Sequence, residues 1–312
     1  MFKSLPYGQR NKARFRNTLN CVALCKYSKN NNGDINNKME IKINNNNNNN
    51  NKEPDKIVLV TNYISVEAHK ETLTFKNRKP NSEEIEARSM EILSTLQANL
   101  NHESTGTVVV LVESRDTADW LSKLDFDNSH KLLIQNNNAE LSMPATIDFA
   151  TRCFQGHTIA IANQDVILGD GWNNLDHIYM SQHKIIYALT RHDSILNPTC
   201  TGNPKIGICD INYGFSHDAF VLHATEHIRK LTFEPYHNQL YSVRGIENYV
   251  IWALRHRLNY DVKNPCSLLR LHHEHCVPIR NRRGRYKVVG NVHVWEGADF
   301  TDSFYWFVLV GE

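Results

Sequence analysis

The sequence lacks several features that would place the protein in particular classes. No segment approaches ~18 consecutive apolar residues, so we predict that no helix spans a membrane. The first 27 residues carry basic side chains but no continuous apolar stretch, which argues against a secretory signal. The formal net charge is only +2, which is too small for a field that steers nucleic acid. The remaining composition, 41% hydrophobic and 22% charged, is ordinary for a globular protein.

Cysteine usage also lacks a recognisable framework. The seven cysteines are odd in number and include no Cys-x-x-Cys pair. We therefore predict that they form no disulfide framework and that most are small buried hydrophobic residues in a reducing compartment. Together with the missing signal, this favours a cytoplasmic location.

The N-terminal segment has the composition of a disordered tail. Residues 1–56 are rich in Asn and Lys, and Asn44 to Asn51 is an unbroken asparagine tract. Such a segment buries too little apolar surface to offset its ordering entropy, so we predict disorder. A tail that binds a partner is the alternative.

From residue 57 onward, strand and helix patterns alternate. This alternation predicts one α/β domain over 57–312, with a mostly parallel sheet flanked by helices. The predicted strands are 57–64, 107–112, 132–134, 157–168, 184–189, 220–222 and 268–271, the predicted helices are 82–100, 144–154 and 245–258, and a C-terminal hairpin joins 286–289 to 291–295. We predict Ser82 as the N-cap of the first helix.

One buried strand ends in a carboxylate flanked by amides, Asn163-Gln164-Asp165. Ligands of open α/β sheets bind outside the carboxyl ends of the strands. A hard cation such as Mg²⁺ or Mn²⁺ takes one or two carboxylates and completes its shell with substrate phosphates. The run therefore indicates a metal–diphosphate site, although polar residues that cap the next turn would give the same pattern.

Three further segments place polar residues at ends of predicted elements. Arg191 follows the next strand and is a candidate phosphate ligand, or an ion-pair partner of Asp193. Asp218 precedes a strand and is a general base, a ligand of substrate hydroxyls, or a turn residue. Glu247 and Asn248 open a helix, where capping and the macrodipole favour them. A carboxylate at such a position is also well placed to accept a proton from a hydroxyl.

The last part of the chain carries histidines and a basic run. His273 and His275 share one side of an extended segment, so they are candidates to share a metal or a phosphate. The favoured arrangement is a single histidine, His273 or His275, in the shell of the same Mg²⁺ or Mn²⁺. A zinc site with Cys266 and Cys276 is a weaker alternative. The basic run 280–287 is a clamp on diphosphate charge, a solvated loop, or, less favoured, a nucleic-acid patch.

Read together, these motifs resemble a poorly characterised group of GT-A-type glycosyltransferases, over roughly residues 57–285. The resemblance is carried by the order of the motifs, which are Arg88-x-x-Glu91, Asn99-Leu-Asn101, Ala162-Asn-Gln-Asp165, Ala188-Leu-Thr-Arg191, Ser216-His-Asp218-Ala-Phe220, Gly245-Ile-Glu247-Asn248, Asn264-Pro265, His273-Glu-His275 and Arg280-Asn281. It implies a GT-A-like, Rossmann-like fold, a nucleotide-sugar donor and a Mn²⁺ or Mg²⁺ cofactor.

The resemblance also implies roles for single residues. Asp165 would be the metal-binding aspartate of a DXD-like motif, in which Asn163 stands where many relatives carry the first Asp. His273 or His275 would complete the metal shell. Glu247 would be the base of an inverting reaction, with Asp218 as the competing candidate. Donor-binding roles fall to Asn163, Arg191, Asn248, Arg280 and Arg282.

The leading hypothesis is a metal-dependent glycosyltransferase that moves a sugar from a nucleotide-diphosphate donor to an acceptor hydroxyl. A catalytically inactive relative that binds a nucleotide or a sugar is the second hypothesis. A protein that binds nucleic acid through residues 280–287 is the third, and we predict that nucleic acid is not a partner.

Overall fold

The computed structural model describes residues 56–75, 78–137, 142–196, 209, 216–239, 241, 243, 245–277, 279–281 and 296–301. The predicted tail (apart from Lys56), Arg282 and the predicted hairpin lie outside the described residues. Residues 50–312 cluster as one compact unit. None of the helices within the described ranges has both the length and the apolar character that crossing a bilayer requires.

The described strands form one large sheet and two small ones. The strands are β1 (Ile57–Tyr63), β2 (Leu73–Phe75), β3 (Thr105–Val112), β4 (Leu132–Asn136), β5 (Thr158–Ala162), β6 (Val166–Leu168), β7 (Ile185–Leu189), β8 (Ala219–His223), β9 (Asp261–Asn264), β10 (Leu271–His273), β11 (Ile279–Asn281) and β12 (Asp299–Phe300). The large sheet has the order β12-β9-β7-β8-β5-β1-β3-β4, and β6 pairs with β10 while β2 pairs with β11. Among the described strands of the large sheet, only β8 runs against its neighbours, β5 and β7, whereas both small sheets are antiparallel. The prediction of an α/β fold with a mostly parallel sheet is therefore confirmed.

Helices flank this sheet, and four of the five described α-helices begin at side-chain caps that the sequence supplies. They are α1 (Ser82–Asn101), α2 (Arg115–Leu121), α3 (Met143–Cys153), α4 (His177–Gln182) and α5 (Ile246–Leu258). The N-cap of α1 is Asn81 rather than the predicted Ser82, because Asn81 and Glu84 form a reciprocal capping box. Ser142 caps α3, and proline lies in its first turn, as predicted.

Two predicted strands differ from the structure. The run 157–168 is two strands, because residues 163–165 turn the chain out of the main sheet. The predicted strand 268–271 is a turn, and β10 begins only at Leu271. Its position is set by antiparallel pairing with β6, a contact between distant parts of the chain that local periodicity does not reveal.

Asn99 of α1 fixes β6 in place. Its side-chain amide donates to the carbonyl of Val166 at 2.8 Å, and its carbonyl accepts from the backbone N–H of Leu168 at 3.0 Å. These two bonds imitate a strand pairing, and all the groups involved are buried. They set the position of the strand that directly follows Asp165.

We expect Asn99→Ala to lower the free energy of unfolding by about 2–4 kcal/mol, because it leaves two buried backbone groups unpaired. Urea denaturation measures this loss. Asn101→Ala is the matched control, since the side chain of Asn101 bonds only exposed groups, and we expect a loss below about 1 kcal/mol. Equal losses in the two variants would contradict the role of Asn99.

The prediction that the cysteines form no disulfide framework is wrong. Cys209 and Cys266 form a disulfide across a sequence separation of 57 residues. Cys153 is disulfide-bonded as well, and so is Cys276. The spacing of cysteines along the chain gave no sign of this, because the paired residues are brought together only by the fold. Disulfides persist in oxidising compartments, so cysteine usage no longer supports the predicted cytoplasmic location.

Candidate functional site

The site is built at one edge of the sheet, where β5 and β7 end and β8 begins. Because β8 is antiparallel to both neighbours, Ala219 at its start pairs with Ala162 and Leu189 at their ends. The polar residues next to these positions therefore meet. This reversal of one strand is what brings three separate motifs of the sequence together.

Asp218 is the centre of the first group of side chains. Arg191 donates to both oxygens of this carboxylate, at 3.0 and 3.2 Å, and the amide of Asn163 donates to Oδ1 at 3.1 Å. Asp218 is only 5% exposed. Arg191 thus pairs with Asp218, and the alternative that it forms a surface ion pair with Asp193 is wrong.

Asn264 fixes the chain just before Arg191. Its side-chain carbonyl accepts from the N–H of Thr190, and its amide donates to the hydroxyl of Thr190, both at 3.2 Å. Both side chains are fully buried. The Asn264-Pro265 motif, to which the sequence assigned no chemistry, therefore sets the direction in which Arg191 leaves the sheet.

Glu247 lies in the first turn of α5, beside this group. The helix begins after Gly245, whose φ of +81° is a left-handed conformation that glycine adopts without strain. Burial and the negative charge of Asp218 raise the pKa of Glu247 to about 8, against the opposing effects of a hydrogen bond from the backbone N–H of His217 and the charge of Arg191. The carboxyl group is therefore a stronger base than an ordinary glutamate.

The second group of side chains surrounds Asp165. His275 Nδ1 lies 3.0 Å and His273 Nε2 lies 3.4 Å from Asp165 Oδ2. The β6–β10 pairing creates this arrangement, since it aligns His273 with Val166 and lets Glu274 N–H donate to the carbonyl of Asp165 at 2.7 Å. The predicted metal ligands Asp165, His273 and His275 are thus neighbours, with candidate ligand atoms all within 4.8 Å of one another.

These three residues fit a divalent metal ion by the chemistry of their donors. Burial alone raises the pKa of Asp165, but the charges of His273 and Arg88 and the hydrogen bonds from the histidines outweigh it and hold the pKa well below its usual value. Burial and the charge of Arg88 lower the pKa of His275 to about 4. A carboxylate and a neutral imidazole are the forms that bind metals. In addition, His275 Nε2 is buried and has no hydrogen-bond partner among the described residues.

The predicted zinc alternative is wrong, because both of its cysteines are disulfide-bonded. Cys266 pairs with Cys209, and a sulfur atom in a disulfide is not the thiolate that binds zinc. The histidines therefore share a candidate site with Asp165 and not with sulfur ligands.

Arg88 and Glu91 of α1 belong to this site, although the sequence assigned them no role. Arg88 Nη2 donates to Asp165 Oδ2 and lies 3.1 Å from His275 Nδ1. Its Nη1 donates to Glu91 Oε2 and to the carbonyl of Glu274, both at 2.9 Å. Arg88 and Glu91 are three residues apart on a helix and therefore share one face. This spacing is the sequence feature that indicates their pairing.

The two groups of side chains lie next to each other, because Asn163, which donates to Asp218, is only two residues before Asp165. Burial alone lowers the pKa of Arg191, but the charges of Asp218, Asp165 and Glu247 outweigh it, so the net shift is upward. The carboxylates of both groups therefore stabilise the charged form of Arg191, which contacts Asp218 directly.

The three remaining predicted donor ligands are Asn248, Arg280 and Arg282. The amide of Asn248 donates to the carbonyl of Glu296 at 3.0 Å, and the residue is 3% exposed. The backbone of Arg280 lies in β11, opposite Thr74 of β2. Arg282 lies outside the described residues. Their donor-binding roles stay predictions.

No protein-family model matches the chain, and no curated protein matches it. Similar solved structures include a protein of Bacillus anthracis described as a glucose-1-phosphate thymidylyltransferase, in complex with a sucrose (9% identity, 76% of this chain and 97% of that chain, TM-score 0.42). They also include GalNAc-T7 with UDP, GalNAc and Mn²⁺ (9%, 76% and 44%, TM-score 0.39) and the glycosyltransferase GlyE of Streptococcus pneumoniae (13%, 67% and 44%, TM-score 0.37).

Proposed function

We propose that the protein is a metal-dependent glycosyltransferase of the GT-A type, which moves a sugar from a nucleotide-diphosphate donor to an acceptor hydroxyl. The observation that supports this proposal best is the juxtaposition of Asp165, His273 and His275 with Arg191 and Glu247 at one edge of the sheet. Glycosyl transfer needs both parts, a centre that stabilises the leaving diphosphate and a base for the acceptor.

Asp165, His273 and His275 are the residues that would hold the metal ion. Of the two predicted ions, Mn²⁺ suits them better, because Mg²⁺ prefers oxygen ligands whereas imidazole nitrogen is a ligand of transition metals. Bound there, the ion would supply charge neutralisation for the diphosphate that leaves the sugar. Arg191, with its planar guanidinium at the same edge, is the protein's own contribution to binding the phosphates.

Glu247 is the better candidate for the base. Both oxygens of Asp218 already accept hydrogen bonds from Arg191 or Asn163, which suits a residue that positions Arg191. Glu247, with a pKa raised to about 8, accepts a proton more readily. In the proposed step, the acceptor oxygen attacks the anomeric carbon while its proton moves to Glu247. The bond between that carbon and the diphosphate oxygen breaks, which inverts the configuration.

A catalytically inactive relative that binds a nucleotide or a sugar is the second candidate. It is favoured by one specific observation, that Arg88 already neutralises Asp165 within the candidate metal site. Turnover separates the two candidates, since both predict ligand binding and only the enzyme releases nucleoside diphosphate from a donor in the presence of an acceptor.

The test is a thermal-shift screen of the full chain against UDP-, GDP- and CMP-sugars, with and without Mn²⁺. A donor at 100 times its dissociation constant should stabilise the protein by about 2.7 kcal/mol. We expect one nucleotide class to raise the melting temperature only when Mn²⁺ is present. If none of the donors raises the melting temperature, either with Mn²⁺ or without it, both candidate functions fail.

A further inference from the structure

Arg88 lies where a metal ion bound by Asp165 and His275 would have to approach. Its Nη2 contacts Asp165 Oδ2 and is 3.1 Å from His275 Nδ1, so one N–H group faces two of the three proposed metal ligands. From this position we infer that Arg88 competes with the metal ion for Asp165. This inference rests on the metal site of the proposed function. It adds that Arg88 limits how readily a metal ion occupies that site.

The competing charge is permanent. Arg88 is 4% exposed, and a guanidinium group does not lose its proton in proteins. A metal ion that binds Asp165 therefore meets this positive charge. It must displace the Nη2 contact.

The surroundings of Arg88 allow this displacement without loss of the whole side chain. Nη1 is bonded to Glu91 Oε2 and to the carbonyl of Glu274. Glu91 is itself fixed, because its Oε1 accepts the backbone N–H groups of Cys276 and Val277 at 2.9 Å. When Nη2 leaves Asp165, Arg88 keeps a carboxylate and a carbonyl as partners.

The charge balance then makes metal binding depend on an anion. When the histidines are in the neutral form that binds metal, Arg88 faces two carboxylates, Asp165 and Glu91, so this group carries one excess negative charge. A divalent ion reverses the excess to positive, and the nearby Arg191 adds to it. The negative charge of a diphosphate offsets this. Mn²⁺ alone should therefore bind weakly, and a diphosphate should strengthen its binding; by linkage, Mn²⁺ strengthens diphosphate binding equally.

The test measures the affinity of the full-length protein for Mn²⁺ alone, by electron paramagnetic resonance of the free ion, in variants that change this charge balance. We expect Arg88→Gln to bind Mn²⁺ at least about tenfold more tightly than the wild type, because a nearby like charge is gone. Arg88→Lys keeps the charge and should stay closer to the wild type than Arg88→Gln. Glu91→Gln should bind more weakly than the wild type, since it removes a negative charge while its Oε1 still accepts the two backbone N–H groups.

Unchanged or weaker Mn²⁺ binding by a folded Arg88→Gln protein, with folding checked by circular dichroism, would overturn the inference and leave the proposed function standing. If Arg88→Gln does not fold, Glu91→Gln decides, and binding equal to or tighter than wild type overturns the inference. If neither the wild type nor a folded Arg88→Gln protein binds Mn²⁺, with UDP present as well as absent, the metal site itself is removed. That outcome rejects the metal-dependent function together with the inference.

Discussion

Asp165→Asn is expected to abolish the Mn²⁺-dependent part of donor binding, together with transfer. Asp165 is the only carboxylate in the candidate ligand set, and an amide is a far weaker metal ligand. The substitution keeps the shape of the side chain. It leaves Arg88 with Glu91 and the carbonyl of Glu274 as partners, which limits the cost of breaking a buried ion pair. The measurement is the shift of melting temperature by the donor, with and without Mn²⁺.

Asp170→Asn is the matched control for this variant. Asp170 lies five positions further along the chain and its side chain is 88% exposed, so we expect donor binding and Mn²⁺ dependence to stay at wild-type values. A folded Asp165→Asn protein that still binds the donor in a Mn²⁺-dependent way would remove Asp165 from the metal site.

Glu247→Gln is expected to lower the rate of transfer by about 10²–10⁴-fold while donor binding persists, because the amide cannot accept the proton of the acceptor. In the wild type, kcat/KM should rise with pH up to an apparent pKa near 8, the value to which burial and Asp218 raise this carboxyl. Below that pH, the rate should fall about tenfold per pH unit. The groups that face Glu247 are Asp218, Arg191 and the backbone of His217.

The same variant has an expected effect on stability with a defined sign. The folded protein holds the Glu247 proton up to about pH 8, whereas the unfolded chain releases it near 4.5. The wild type therefore loses stability as pH rises through this interval, and none of the loss is present below it. Glu247→Gln avoids the loss, so its melting temperature should match the wild type near pH 4.5 and exceed it by a growing margin up to pH 8.

Glu86→Gln is the control for both effects, since Glu86 is an exposed residue of α1. It should change neither the rate nor the pH dependence of the melting temperature. If Glu247→Gln lowers the melting temperature strongly at all pH values, the residue is structural. Full transfer activity in this variant would pass the role of base to Asp218.

The main sheet could be predicted from the sequence because its strands are buried on both faces. Stretches such as Ile57–Val60 and Ile159–Ala162 are continuous apolar runs, a pattern typical of parallel sheets. The same pattern predicts which polar residues lie at the ends of these strands, since they precede or follow an apolar run. Asn163, Arg191 and Asp218 are examples.

Contacts between distant segments could not be predicted from local patterns. The pairing of β6 with β10, the disulfide between Cys209 and Cys266, and the partner of Arg191 all depend on how the fold brings separate motifs together. Arg88 illustrates this limit best. Its spacing to Glu91 indicates only a pair on one helix face, and its contact with Asp165, 77 residues away, gives it a role.

The most direct test of the proposed metal–diphosphate site is an anomalous diffraction experiment on crystals of the protein grown with Mn²⁺ and UDP. We expect one strong manganese peak bonded to Asp165 and to at least one of His273 and His275, with the diphosphate of UDP in contact with the ion and with Arg191. Bound UDP whose diphosphate lies away from these residues, or a manganese ion bound elsewhere, would contradict the proposed site.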